Sequence, residues 1–328
     1  MKKLIAILLM LAMLLSLCVC FTACGDDSSA SYVEDDDDDD DDDNGKNDGD
    51  GNDDDDNGGD NSNNPSAPGG VVVNPNGPTV QMVMVVSQIT ATQDGQVEKM
   101  SVMYHNNNLI QRVNMNEAGT NYAEYLYNPQ GYYTGMVSYA EGVEKARTSC
   151  IVDAQGKVTQ QITMYEGQET SRQVNTYNAA GKITQAENFY QGNSVGLTTY
   201  TYDESGRLIK TATVSNGTET QSVVYTYSGN GDILSEVTSF YGQEISRKTY
   251  EYEANGRLWV VELVSGADRE TVTRYTYEYN MFGKVSKITV AQSGENDVVI
   301  EFTYIGKEAK PGFEEQVMEQ QKTFENLF

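Results

Sequence analysis

Residues Tyr202 to Leu208 read YDESGRL, and the same outline returns along the chain: YNPQGYY from Tyr127, YNAAGKI from Tyr177, YSGNGDI from Tyr227, YEANGRL from Tyr252 and YNMFGKV from Tyr279. One more copy, VDAQGKV, puts Val152 in the place of the tyrosine. The glycines Gly131, Gly156, Gly181, Gly206, Gly231 and Gly256 stand 25 residues apart, and Gly283 follows after 27. A second series, Gly142, Gly167, Gly192, Gly217 and Gly242, interleaves at the same step before Gly266 and Gly294. Two glycine turns per repeat mean two strands per repeat, because glycine supplies the positive φ that tight hairpin turns need. The stretches between, such as TQSVVYTY and RLIKTATV, have the length and the Thr, Val and Tyr content of strands.

Side chains recur as well: EGQETSR from Glu166 returns as YGQEISR from Tyr241, three periods later. The motif resembles the signature of the YD-repeat, or RHS-repeat, family, YDxxGRL followed by a strand and a second glycine turn. Tyr202 to Leu208 matches it in full, and seven copies in register cover about residues 104 to 305, with worn copies back to Val80. The resemblance implies a continuous antiparallel β-meander, which in large members winds into a hollow shell around a toxin domain. About eight repeats look too few to close such a shell. No toxin domain is recognisable after the repeats, and the Asp-Pro-rich motif of the family's self-cleaving end is missing. The expected fold is therefore all-β: tandem two-strand repeats in a long antiparallel meander over residues 79–306, an open twisted sheet or partial β-spiral. Over residues 307–328, Phe313, Val317, Met318, Phe324 and Leu327 fall close to helical spacing. They predict a short C-terminal helix capping an exposed sheet edge.

The chain opens as a secretory signal over residues 1–23, with Lys2 and Lys3, an apolar run from Leu4 to Val19, and small residues before a cysteine. The run is short for a spanning helix, which needs roughly 20 apolar residues. Phe21-Thr22-Ala23-Cys24-Gly25 resembles the lipobox of bacterial lipoproteins, which implies lipidation of Cys24 and anchoring to the bacterial membrane at the cell surface. Phe21 departs from the usual Leu or Val of that box, and Cys18 and Cys20 lie close by. Only Cys150 then remains in the repeats, so no disulfide framework forms within the mature chain.

Residues 24–78 read as a disordered acidic stalk, with Asp35 through Asp43 uninterrupted and a Pro/Gly-punctuated exit. From Gly25 to Asn64 there are 19 acidic residues against Lys46 alone, −18 of the chain's −27. Like charges extend such a linker, to at most about 180 Å for some 50 residues. Asp48, Asp50 and Asn52 alternate as calcium ligands would, but Asp53 occupies the sixth position, where an EF-hand loop needs glycine. Weak, non-specific cation binding is the expectation.

For catalysis the inventory is poor. His105 is the only histidine and sits in the polar turn HNNN, while Cys150 stands where other repeats carry tyrosine. Metal clusters of His or Cys and a phosphate-binding glycine loop are missing, so no cofactor and no enzyme are expected. The acidic balance disfavours nucleic acid.

What remains is a surface. Tyr125, Tyr200, Tyr225, Tyr250 and Tyr277 each stand two positions before a motif tyrosine, and residues two apart share a face. Tyr200 with Tyr202, Tyr225 with Tyr227 and Tyr250 with Tyr252 should form parallel rows, roughly 10 Å between repeats. The rows suit first a tyrosine ladder filling the sheet's concave core, and second a stacking platform for an extended glycan. The expected function is a lipid-anchored binding or adhesion module for an envelope or host glycan or surface protein. The alternative is a partner or remnant of an RHS-type toxin system, and an enzyme ranks third.

Overall fold

A computed structural model describes residues 71–72, 80–266 and 271–325. After a two-residue strand β1 (Val71–Val72) come β2 (Val80–Gln93), β3 (Gln96–Tyr104), β4 (Ile110–Asn114), β5 (Tyr122–Tyr127), β6 (Tyr133–Ala140) and β7 (Val143–Val152). The regular repeats follow as β8 (Val158–Tyr165), β9 (Gln168–Tyr177), β10 (Ile183–Tyr190), β11 (Asn193–Tyr202), β12 (Leu208–Ser215) and β13 (Thr218–Tyr227). Then come β14 (Ile233–Phe240), β15 (Gln243–Tyr252), β16 (Leu258–Ser265), β17 (Thr271–Tyr279), β18 (Val285–Gln292), β19 (Val298–Glu308) and one helix, α1 (Glu314–Glu325).

From β2 to β19 each strand pairs antiparallel with the next, as the glycine spacing requires. The expected open sheet or partial spiral is wrong. β19 lies against β2 over ten residue pairs, from Val299↔Thr92 to Glu308↔Met82, so the 18 strands close into a barrel. Closure gives both end strands a partner and removes the sheet edge. The curvature has a local source. At the motif turns the register slips by one residue, between Thr201 and Tyr202, Thr226 and Tyr227, and Glu251 and Tyr252. Each such bulge adds twist and bend to the sheet.

Register fixes which side chains point inward. Ile89, Met100, Val113, Tyr125, Met136, Val261, Tyr277, Ile288 and Ile300 form one buried apolar cluster with Phe324 of α1. These residues come from β2–β6 and β16–β19. On β8–β15 the inward positions are mostly polar: Gln161 faces Gln173, Thr198 faces Thr213, Tyr200 faces Thr211, and Tyr225 faces Glu236, which faces Lys248. The outer wall is charged. Arg274 reaches Glu262 at 3.6 Å and Lys287 reaches Glu278 at 2.6 Å, both pairs back to back with the apolar cluster. A lipid-facing barrel wall has the reverse pattern, apolar outside and polar within. Among the described residues no helix is long and apolar enough to cross a membrane.

With no sheet edge to cap, α1 fills a notch where β2 runs past its pairing with β3. Gln321 Oε1 accepts from the Val86 N–H and Gln320 Oε1 from the Ile110 N–H, both at 2.9 Å. Phe313 and Val317 pack on Val85 and Leu109, while Met318 is 55% exposed.

Candidate functional site

The motif turn explains its own letters. In Tyr202–Leu208 the Gly206 N–H donates to the Asp203 carbonyl at 2.9 Å, and the Asp203 side chain accepts from the Arg207 N–H at 2.8 Å. Asn178, Asp153 and Asn280 do the same for Lys182, Lys157 and Lys284 at 2.9–3.1 Å. The residue after the glycine then lies over the next repeat's tyrosine: Lys182 over Tyr202 at 5.4 Å, Arg207 over Tyr227 at 4.8 Å. All seven predicted turn glycines, Gly131, Gly156, Gly181, Gly206, Gly231, Gly256 and Gly283, have positive φ, from 72° to 97°. At Gly156 space matters too, since a Cβ would meet the Tyr132 ring at 2.3 Å.

The motif tyrosines fasten the wall. The hydroxyls of Tyr202, Tyr227 and Tyr252 donate to the carbonyls of Ile183, Leu208 and Ile233 at 2.8, 2.7 and 2.9 Å. Each bond reaches back one repeat, to the residue two past the preceding turn glycine. Tyr177, Tyr279 and Tyr304 follow the same rule with Val158, Leu258 and Val285. Tyr127 instead takes the Gln320 amide at 2.8 Å, so α1 enters the ladder there. Burial and the Asp232 charge push the Tyr252 phenol up to about 12.

The row two positions earlier divides by location. Tyr125 and Tyr277 are 5% and 3% exposed, within the apolar cluster. Tyr200, Tyr225 and Tyr250 are half-buried: Tyr200 faces Thr211, Tyr225 faces Glu236, and Tyr250 faces Val261 and packs against the edge of the apolar cluster. Tyr250 donates to Glu236, and burial followed by that carboxylate drives its phenol far above the usual range. Thr211, Glu236 and Lys248 were not among the expected site residues. Thr211 and Glu236 stand directly opposite a tyrosine on the neighbouring strand, and Lys248 stands opposite Glu236.

Nothing brings the two candidate nucleophilic-chemistry residues together. His105 lies in the β3–β4 turn, edge-on to Tyr127 at 6.1 Å, and Cys150 is buried on β7. Among the described residues no group of His, Cys, Asp or Glu could hold a metal. Cys24, the signal and the Asp-rich stretch lie outside the described residues.

A closed barrel of two-strand repeats is thus the class this fold defines. No family model matches the chain, and no curated protein does. Among solved structures, a porin-like protein from Bacteroides uniformis is 16% identical, with 67% of this chain covering 96% of that one at a TM-score of 0.40. A chain of the Photorhabdus luminescens Tc holotoxin pore is 15% identical, with a TM-score of 0.27. The match spans 67% of this chain and only 14% of the toxin chain. Likeness at this level says nothing of what this chain binds or does.

Proposed function

We propose that this protein is an exported, lipid-anchored surface module that binds an extended glycan and performs no catalysis. Cys24 would carry the lipid and residues 24–78 would hold the barrel away from the membrane. The observation that supports binding is the divided tyrosine row. Tyr125 and Tyr277 are core and Tyr250 packs against its edge, whereas Tyr200 and Tyr225 are half-buried opposite Thr211 and Glu236. Aromatic faces flanked by a few placed polar groups suit a sugar, which presents an apolar ring face and a rim of hydroxyls. Tyr202, Tyr227 and Tyr252 beside them hold the wall that carries the platform.

The test is the full-length chain on an array of envelope and host glycans. Binding to one polymer class, lost in Tyr225→Ala with an unchanged circular dichroism spectrum, is the expected result. Silence across the array sinks the glycan reading and favours a surface-protein partner. Separately, growth with a labelled fatty acid should mark the wild type and leave Cys24→Ser unlabelled.

A further inference from the structure

The half-buried tyrosines stand inside a closed ring. Tyr200 faces Thr211 and Tyr225 faces Glu236, on the side of the wall that elsewhere packs into the apolar cluster. From β2 round to β19 and back, each strand is paired on both edges, so the wall has no lateral gap. A ligand reaches these rings through an end of the barrel or not at all.

The two ends differ. Ala140, Tyr165, Tyr190, Ser215 and Phe240 take one place in successive repeats, the last of the strand before the second glycine turn. Residues two apart share a face, and Tyr165, Tyr190 and Phe240 follow the inward Thr163 and Gln161, Asn188 and Ala186, and Thr238 and Glu236. Although they point inward, the three aromatics are 51%, 56% and 50% exposed. Side chains that point into a barrel and still meet water mark an open mouth. At the other end the inward residues after the motif turns are covered: Val158, Ile183 and Val285 are buried and Leu208 and Ile233 half-buried. The chain enters the ring at that end, at Val80, and α1 is seated there with Phe324 fully buried.

From the open mouth to the tyrosines the lining is of hydroxyls and amides. Ser215, Thr213 and Thr211 step inward along β12, and a strand rises about 3.3 Å per residue, so Thr211 and the ring of Tyr200 opposite lie about 13 Å inside Ser215. Asn188 donates to the Thr198 hydroxyl at 3.2 Å, and the hydroxyls of Thr198 and Thr213 are 2.9 Å apart. Lys248 stands opposite Glu236, so an uncharged ligand suits the lining. We propose that the polar side of the lumen takes the free end of an extended neutral glycan, which enters by the second-turn mouth past a collar of Tyr165, Tyr190 and Phe240. This rests on the glycan reading above and adds how the ligand is read. The terminus is recognised, because the middle of a long chain cannot cross a closed wall.

Cysteine labelling of the full-length chain, with its four native cysteines replaced by alanine, tests the route. Ser215→Cys, Thr213→Cys and Thr211→Cys mark increasing depth, and Thr226→Cys, exposed on the outer face beside Tyr225, is the control. N-ethylmaleimide should label all four. A maleimide carried on a folded protein should label Thr226→Cys and fail at Thr211→Cys, and a dye maleimide of intermediate size should react more slowly at each step from 215 to 211. Equal labelling of Thr211→Cys and Thr226→Cys by the protein-borne reagent overturns the proposal, since the row would then lie on an open surface. So do a Thr211→Cys that N-ethylmaleimide cannot reach and rates that rise from 215 to 211, which put the entrance at the motif-turn end. The occupant is tested by printing each array glycan through one terminus, in both orientations, and again through both termini. Retention on the first form alone is expected, weakened by Tyr190→Ala and Phe240→Ala; equal retention on both forms overturns end-on reading, and full retention by both variants removes the collar. Silence on both forms overturns the glycan occupant and the reading it rests on, and the labelling order then reports whether the route survives without it.

Discussion

The barrel has two sides built to one grammar. Around β16–β19 and β2–β6 the inward positions hold Val261, Tyr277, Ile288, Ile300, Ile89 and Met100, all buried. Around β8–β15 the same positions hold Gln161, Gln173, Thr198, Thr211, Glu236 and Lys248, none of them fully buried. Yet the turn bonds and the tyrosine-to-carbonyl ladder run through both sides alike. Wall and filling are therefore separable: turn residues make a strand pair that joins its neighbours, and the inward residues decide whether the space within is packed or wet. Burying an aliphatic side chain contributes about 1.5–3 kcal/mol, so the apolar side supplies most of the stability and leaves the other free to carry polar groups.

That division is easiest to break at one repeat position. Tyr277→Ala should cost about 3–5 kcal/mol in urea unfolding, as for other buried aromatics. Tyr225→Ala, at the equivalent place on the polar side, should cost less than about 2 kcal/mol. Equal costs would mean that the polar side is packed after all. Gly156→Ala comes next, at about 2 kcal/mol or more, because it adds the cost of positive φ to a clash with Tyr132. Gly231→Ala, with nothing within 4 Å of its Cβ, should show the backbone cost alone.

The ladder should ignore the division. Tyr227→Phe and Tyr279→Phe each remove one hydroxyl-to-carbonyl bond and should each lower stability by about 1 kcal/mol, whichever side they stand on. Thermal melts of the pair check this. The smallest effect is at Asp203, whose carboxyl is held low by the Arg207 N–H and then by the Arg207 side chain. A lowered folded-state value contributes stability above the unfolded-state value, and that contribution is lost as pH falls through the folded one. Asp203→Asn should therefore flatten the stability profile in the acid range, by removing a small contribution that is present near neutrality and already lost at low pH. Asn178 and Asn280 already hold that turn without a charge.

The repeat, its two strands and the positions of the turns were legible because each is local: a glycine every 25 residues marks a hairpin wherever the hairpin ends up. Closure was not. It joins Thr92 to Val299, and nothing in either strand's composition says which partner it will meet. The sense of the rows was also hidden, since Tyr200 and Thr201 both suit a half-buried strand. Gln320 and Gln321 look like solvent residues in EQQK, and their role appears only beside the backbone amides of Val86 and Ile110. The tyrosine row can be picked out of the repeat because each stands two before a motif tyrosine, whereas the neighbouring Glu236 and Lys248 become visible only with the register.

The seam between β2 and β19 also decides how the molecule answers a pull. The chain enters the ring at Val80, and a force applied there runs along the axis of β2. It strains the ten pairs to β19 and the six to β3 together, in shear, instead of opening them one after another. A barrel tugged from that end should hold like a lap joint, and its weakest direction is sideways, by peeling a hairpin at the opposite rim.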